Sequence, residues 1–203
     1  MSRPLIVALH GVGSSARDMA AAVAPLGEVA DIVALDGLEP FHAGGPGRQW
    51  FSIAGVTEAN RAARVAGALP RLIARLDAVA SERAIDRHDI MLLGFSQGAI
   101  MTLAAVAGGL HHGRAVAVAG WLAAPVLPVT RFARLLLLHD RDDPVMPIAL
   151  SVEAGAALRR AGHSVDGAWS AGVGHRIGGP MLPAIADWLT GARAEPPQAP
   201  LKG

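Results

Sequence analysis

The sequence predicts an α/β fold with a mainly parallel, six-stranded central sheet, helices on both faces and no large lid domain. Short apolar runs typical of buried strands alternate along the chain with longer segments of helical periodicity. Such alternation favours parallel strands joined by crossover helices. The chain has 203 residues, 52% of them hydrophobic, which is enough for one domain with a complete core.

Strands and helices can be placed in order from these patterns. The predicted strands are Pro4–Leu9, Val29–Leu35, Asp89–Leu93, Arg114–Trp121, Ala133–His139 and Ser164–Ser170. The predicted helices are Ala16–Ala24, Thr57–Ala80, Gln97–Ala107, Pro147–Ala161 and Pro180–Leu189. Between Trp121 and Ala133 there is no insertion long enough to fold as a helical lid, so we expect an open site shaped by short loops.

The predicted helix over 57–80 has the strongest periodicity. Apolar residues recur at helical spacing, and the arginines fall on other faces. Thr57 can cap its first turn and Glu58 complements the helix dipole. Pro70 lies inside the helical pattern and predicts a kink or a break there, because proline removes one backbone hydrogen bond.

Composition at the C-terminal end differs from the rest of the chain. We expect residues 1–190 to form the α/β domain and residues 191–203 to be a proline-rich, disordered tail. No internal repeat is present that would indicate a second domain.

The pentapeptide Gly94-Phe95-Ser96-Gln97-Gly98 follows a buried strand and opens a helix of small residues. In that context G-x-S-x-G predicts a nucleophile elbow, a strained turn that exposes the serine hydroxyl at a helix N-terminus. The alternative is a glycine-bounded turn that carries an incidental serine. The distinction depends on whether a base and an acid follow later in the chain.

A serine nucleophile needs a histidine to take its proton and a carboxylate to orient that histidine. The fifth predicted strand ends in His139-Asp140-Arg141-Asp142-Asp143-Pro144, and the sixth is followed by Gly172-Val173-Gly174-His175. Both groups therefore come at strand ends and in the order Ser, Asp, His. We expect Ser96, Asp143 and His175 to be catalytic; Asp143 is preferred to Asp140 and Asp142 because Pro144 restrains the backbone beside it.

A second glycine-rich turn, His10-Gly11-Val12-Gly13, follows the first predicted strand. Such a turn can direct a backbone N–H at developing negative charge. We expect the N–H groups of Val12 and Gln97 to form an oxyanion hole. By itself the turn could equally be a simple connection to the next helix.

The longest non-periodic stretch, 37–51, ends in Trp50 and Phe51. Long loops in compact domains often carry function, so these aromatic side chains could line an acyl pocket together with Met146. The competing interpretation is that they fasten the loop to the core. The two interpretations are compatible.

These motifs resemble those of the carboxylesterase/phospholipase family of small α/β-hydrolases, which includes acyl-protein thioesterases. The matching segments are His10–Gly13, Gly94–Gly98, Asp143–Val145 and Gly174-His175, with Gly47–Ser52 and Thr57–Val65 closer to the bacterial serine-esterase branch. The resemblance implies an α/β-hydrolase fold and hydrolysis of esters or thioesters through Ser96, Asp143 and His175, with no metal and no organic cofactor. The chain has His139-Asp140 where the family often has His-Gly, and Phe51-Ser52 where many members have Phe-Asp.

Composition excludes several other functions. The formal net charge is +1 with basic and acidic residues interspersed, which gives no indication of nucleic-acid binding. There are no cysteines, so thiol catalysis and disulfides are excluded, and no apolar run is long enough to span a membrane. We expect a cytoplasmic enzyme acting on a small-molecule ester, with a homodimer left open.

Three other functions remain as alternatives. One is acyl-thioesterase or lysophospholipase activity, and another is a serine peptidase or acyltransferase on the same scaffold. The third is a non-catalytic α/β-hydrolase-fold protein that binds a ligand. An intact Ser-Asp-His set favours catalysis, and peptidases of this fold usually add a domain for which this chain has no room.

Overall fold

The computed structural model describes residues 3–42 and 44–191. Its strands are β1 (Leu5–Leu9), β2 (Asp31–Leu35), β3 (Glu39–Pro40), β4 (Arg48–Gln49), β5 (Met91–Phe95), β6 (Arg114–Val118), β7 (Arg134–Asp140) and β8 (Ser164–Ser170). Its α-helices are α1 (Ala16–Val23), α2 (Glu58–Arg83), α3 (Gln97–Ala107), α4 (Ile148–Arg160) and α5 (Met181–Thr190). Apart from Gly191, the tail predicted at 191–203 lies outside the described residues.

Six strands form the central sheet in the order β2-β1-β5-β6-β7-β8. Every neighbouring pair in it is parallel. The predicted parallel six-stranded sheet is therefore confirmed, and in the described residues the 15 positions 119–133 between β6 and β7 contain no helix or strand that could act as a lid.

The two faces of the sheet are covered by different helices because successive strand residues point to opposite sides. On one face, Ile6, Met91 and Leu93 pack with residues of α1 and α5. On the other face, Val7 and Leu92 pack with residues of α2 and α3, while residues of β6 and β7 pack with α3 and α4. This burial on both sides explains why the strands are almost continuously apolar.

Helix α2 runs through Pro70, so of the predicted kink or break the break does not occur. Pro70 lies on the exposed side of the helix, where water can reach the carbonyl that loses its partner. Thr57 caps the first turn as predicted, in a reciprocal capping box with Asn60. None of the helices in the described parts of the chain combines the length and the apolar character needed to cross a membrane.

The main differences from the predicted elements are at the ends of strands and in the 37–51 segment. Strand β6 stops at Val118, three residues before the predicted end, where Ala119 adopts a φ of 51°. The segment 37–51, predicted as a non-periodic loop, contains the two-residue strands β3 and β4, which pair antiparallel. Their hydrogen bonds fix the base of this loop.

Strands β1 and β5 are neighbours, and the order of the sheet reverses between them. In open parallel sheets, ligands bind at such a reversal, outside the carboxyl ends of the strands. Residue Leu9 at the end of β1 lies opposite Gly94 in β5, so the Gly11–Gly13 turn and the Ser96 turn lie side by side. The topology thus brings two of the predicted site segments together at one edge.

Candidate active site

Ser96 lies at the apex of the turn from β5 into α3, in a strained backbone conformation. Its φ and ψ are 51° and −114°, and its N–H donates to the carbonyl of Val118 at 3.0 Å. A Cβ added to Gly98 would be 2.2 Å from the Leu9 carbonyl oxygen, and one on Gly94 would be 2.3 Å from the Gly98 oxygen. Both positions therefore require glycine, which explains the G-x-S-x-G spacing.

The structure brings Ser96, His175 and Asp143 into one hydrogen-bonded chain. The distance from Ser96 Oγ to His175 Nε2 is 3.0 Å, and that from His175 Nδ1 to Asp143 Oδ2 is 2.7 Å. Because an ionised carboxylate only accepts, Nδ1 carries the proton and Nε2 is free to accept one from the serine. This arrangement matches the geometry in which histidine acts as a general base.

Asp143 is held in place from its other side. Its Oδ1 accepts the backbone N–H groups of Val145 and Met146 at 2.8 and 2.9 Å, and its side chain is 1% exposed. Burial opposes ionisation, but the hydrogen bonds from His175 and from these two N–H groups outweigh it and hold the pKa of Asp143 below its usual value. The carboxyl is therefore ionised at neutral pH.

Asp140, at the end of β7, binds the loop that carries His175. Its carboxylate is fully buried and accepts from Ser170 Oγ, from the N–H of Val173 and from the N–H of Asp142, at 2.7 to 3.0 Å. Burial opposes ionisation here too, but these hydrogen bonds lower the pKa of Asp140 to about 2. Asp142 is exposed and, among the residues that the structure describes, accepts only from Gly172 N–H. The three aspartates thus have separate positions, and Asp143 is the one that contacts His175.

The predicted oxyanion donors lie on the two turns that meet beside Ser96. A Cβ on Gly11 would be 3.3 Å from Ser96 Cβ, which places the Gly11–Val12 turn against the serine. Within the described residues, the backbone N–H groups of Val12 and Gln97 donate to no other group. Both are therefore available to a ligand. The Gly13 N–H, by contrast, is occupied by the Arg48 carbonyl at 2.8 Å.

The side chain of Gln97 joins the 37–51 segment to the serine turn. Its Oε1 accepts from the N–H of Trp50 and its Nε2 donates to the Phe51 carbonyl, both at 2.8 Å. This role is not predicted from the sequence, because nothing local to Gln97 indicates a partner 47 residues away. A buried amide with both ends satisfied is a rigid link.

His10 is a second link that the sequence analysis missed. Its Nε2 accepts from Gly37 N–H at 2.8 Å, its Nδ1 lies 2.6 Å from the Gly11 carbonyl, and its own carbonyl accepts the Trp50 indole N–H at 2.8 Å. Burial lowers the pKa of His10, which keeps the ring neutral, as these hydrogen bonds require. The 37–51 segment is therefore fastened to the turn after β1 as well.

Trp50, Phe51 and Met146 have 0%, 6% and 9% of their surface exposed. The first two side chains lie in the core that covers one face of the sheet, so the fastening interpretation describes their contacts in this structure. Contact of these three residues with a substrate stays a prediction. Among the described residues, no group of three or more His, Asp or Glu side chains is arranged to hold a metal ion.

A parallel sheet whose central strand runs into a strained serine turn is the architecture of the α/β-hydrolases. Similarity to known proteins identifies one family within the α/β-hydrolases. Residues 1–192 match the phospholipase/carboxylesterase family, and the chain belongs to that family. The resemblance drawn from its motifs is thereby confirmed.

Individual relatives agree with this assignment. Esterase YpfH of Escherichia coli (strain K12) is 34% identical over 194 residues, covering 93% of this chain and 82% of that protein. The crystal structure of esterase PE8 superposes with a TM-score of 0.83 at 27% identity, covering 95% of this chain and 94% of that one. The Bacillus cereus carboxylesterase shares the fold, with a TM-score of 0.74 at 19% identity and coverage of 94% and 89%.

Proposed function

We propose that this protein hydrolyses carboxylic esters through an acyl-enzyme formed on Ser96. The observation that carries the proposal is the continuous hydrogen-bonded chain from Ser96 Oγ through His175 to Asp143. Membership of the phospholipase/carboxylesterase family and similarity to proteins named esterases support it.

In the first half of the reaction, Ser96 Oγ attacks the acyl carbon while its proton passes to His175 Nε2. The carbonyl oxygen becomes an oxyanion, which the N–H groups of Val12 and Gln97 stabilise. His175 then gives its proton to the departing alkoxide oxygen, and the C–O bond of the ester breaks. The products of this half are an alcohol and an acyl ester of Ser96.

In the second half, His175 removes a proton from a water molecule, which attacks the acyl-enzyme. The tetrahedral intermediate collapses, the carboxylic acid leaves and His175 returns the proton to Ser96 Oγ. Asp143 stays ionised throughout: it holds the imidazole in the Nδ1–H tautomer and stabilises the imidazolium that forms in each half.

Labelling with a fluorophosphonate tests the role of Ser96. We expect one modified residue, Ser96, and we expect Ser96→Ala to fold normally but to lose labelling and all but about one part in a thousand of its turnover or less. Ser81→Ala, on the exposed surface of α2, is the matched control and should behave as wild type. Labelling of Ser14, Ser15 or Ser52 would refute the proposal, and absence of any turnover by a folded, unlabelled wild type would favour a ligand-binding protein.

A paired substitution tests the role of Asp143. Asp143→Asn should lower kcat by about four orders of magnitude, because asparagine offers no charge to the imidazolium and can favour the wrong tautomer. Asp142→Asn removes an exposed carboxylate from the same loop and should leave kcat within a few-fold. If Asp142→Asn is the more damaging change, the acid is assigned incorrectly.

We further propose that the substrates carry short to medium acyl chains. The absence of a helix or strand over 119–133 supports an open site, whose apolar wall we propose is limited to what Trp50, Phe51 and Met146 contribute. Each additional methylene gains about 0.8 kcal/mol only where apolar surface receives it. We also propose that the enzyme works in the cytoplasm, with which the absence of cysteine is compatible.

p-Nitrophenyl esters of graded acyl length test this substrate preference. We expect kcat/KM to peak at short or medium length and to fall by palmitate. A steady rise to palmitate would contradict the proposal and would favour the thioesterase or lysophospholipase alternative.

A further inference from the structure

A second histidine, His139, contacts the carboxylate that binds His175. His139 lies near the end of β7 and its side chain has no exposed surface. Its Nε2 is 3.3 Å from Asp143 Oδ2 and 2.8 Å from the Met146 carbonyl oxygen, and its Nδ1 is 2.6 Å from Ser151 Oγ. The catalytic scheme above gives this residue no role.

The proton on Ser151 determines what His139 Nδ1 must do. Ser151 Oγ lies 2.5 Å from the carbonyl oxygen of Gly120, which can only accept a hydrogen bond. The single hydroxyl proton is therefore used toward Gly120. Ser151 Oγ then faces His139 Nδ1 as an acceptor, and Nδ1 must carry a proton.

The partners of the other ring nitrogen lead to the same requirement. Both groups beside His139 Nε2, the Met146 carbonyl and the Asp143 carboxylate, are acceptors, so Nε2 must also carry a proton. A ring with both nitrogens protonated is a cation. A buried cation is stable only beside a counter-charge, and Asp143 supplies one.

The other groups around the His139 ring do not change the number of protons that it must carry. The neighbouring strand presents Trp169 opposite His139, helix α4 presents Ser151, and the β6–β7 connection presents a backbone carbonyl. The adjacent Asp140 carboxylate is directed at the His175 loop. Of the described residues, Asp143 is the one charged side chain within ion-pair distance of His139.

We infer that His139 is a buried imidazolium that positions Asp143 and shares its Oδ2 with His175. Asp143 Oδ2 accepts from both rings, at 2.7 Å from His175 Nδ1 and 3.3 Å from His139 Nε2. When His175 takes the proton of Ser96, a second cation must share this oxygen. The charge of His139 therefore weakens the electrostatic support that Asp143 gives to a protonated His175.

This inference rests on the proposed function, and its main test is the pH profile of His139→Gln. Glutamine keeps an N–H donor near Asp143 but has no charge. The acidic limb of kcat/KM should move to higher pH, with little change in KM and less than a tenfold loss at the alkaline plateau. His163→Gln, at a buried histidine whose Nδ1 accepts from Ala133, is the control and should leave the limb in place.

A spectroscopic readout is independent of activity. In wild-type protein labelled with ¹⁵N-histidine, both ring nitrogens of His139 should show the shifts of protonated nitrogen at pH 7.5. One protonated and one bare nitrogen at that pH would overturn the inference, as would an acidic limb of His139→Gln that coincides with wild type. If the variant does not fold, the ¹⁵N result decides. If fluorophosphonate does not label Ser96, the proposed function is refuted but the ¹⁵N result on His139 is unaffected. Failure of the proposed function and failure of this inference can therefore be distinguished.

Discussion

Asparagine at position 140 should loosen the connection between β7 and the loop that carries His175. The Asp140 carboxylate accepts hydrogen bonds from Ser170 Oγ and from the N–H groups of Val173 and Asp142. An asparagine has one acceptor oxygen, and its amide nitrogen would face groups that are themselves donors. At least one buried N–H or hydroxyl then loses its partner or must reorient.

The lowered pKa of Asp140 determines how much unfolding free energy Asp140→Asn should lose. This pKa falls from 3.8 to about 2 on folding. At 1.36 kcal/mol for each unit, the ionised carboxylate stabilises the folded state by about 2 kcal/mol at neutral pH. For a domain of this size, losing it should lower Tm by about 4 to 8 °C.

The dependence on pH has a definite sign. Because the pKa of Asp140 is lower in the folded state, its contribution is complete well above the unfolded value near 3.8 and is lost as pH falls toward 2. The difference in unfolding free energy between wild type and Asp140→Asn should therefore be about 2 kcal/mol at pH 7 and about 1 kcal/mol smaller at pH 3. Urea unfolding followed by circular dichroism at the two pH values measures both.

Asp142→Asn is the matched control for this experiment. It removes a carboxylate two residues away that is exposed and accepts a single backbone N–H, so it should cost less than about 1 kcal/mol. Asp140→Asn should also keep kcat within about tenfold where it is folded, because Asp143 still orients His175. Equal stabilities of the two variants at pH 7 would show that the carboxylate does not hold the loop.

Three further perturbations have equally definite outcomes. Gly98→Ala places a Cβ 2.2 Å from the Leu9 carbonyl oxygen and should lower kcat/KM at least 100-fold or prevent folding. Gly67→Ala, at a position on α2 with open space around it, is the control and should raise the unfolding free energy by up to about 1 kcal/mol. Similar behaviour of the two variants would contradict the close packing at the serine turn. Gln97→Glu sets an oxygen against the Phe51 carbonyl and should cost about 1 to 3 kcal/mol in urea unfolding, a loss that a variant as stable as wild type would disprove. Deleting residues 192–203 should leave Tm and the ester rate within error, and a large fall in Tm would mean that these residues contact the domain.

Much of the fold follows from patterns local in the sequence. Apolar runs and helical spacing predict the six strands of the central sheet and the five α-helices of the described residues, with ends that differ by up to three residues. The largest difference in the sheet is at β6, which stops before the positive φ of Ala119. The Ser96 turn could be recognised by its two glycines, which are required because a side chain on Gly94 would clash with the Gly98 backbone and one on Gly98 with the end of β1. The order Ser, Asp, His could be predicted because each residue follows a strand.

Tertiary structure alone decided which side chains meet. Pro144 favours Asp143 over Asp140 and Asp142 in the sequence, but it is the path of the loop after β8 that brings Asp143 to His175 while Asp140 accepts from the loop backbone. The links through Gln97 and His10 join segments 27 to 47 residues apart, and the two-residue strands β3 and β4 carry too short a pattern to predict. These features depend on contacts between distant segments, and hydrogen-bond partners at that separation leave no periodicity in the sequence that would identify them.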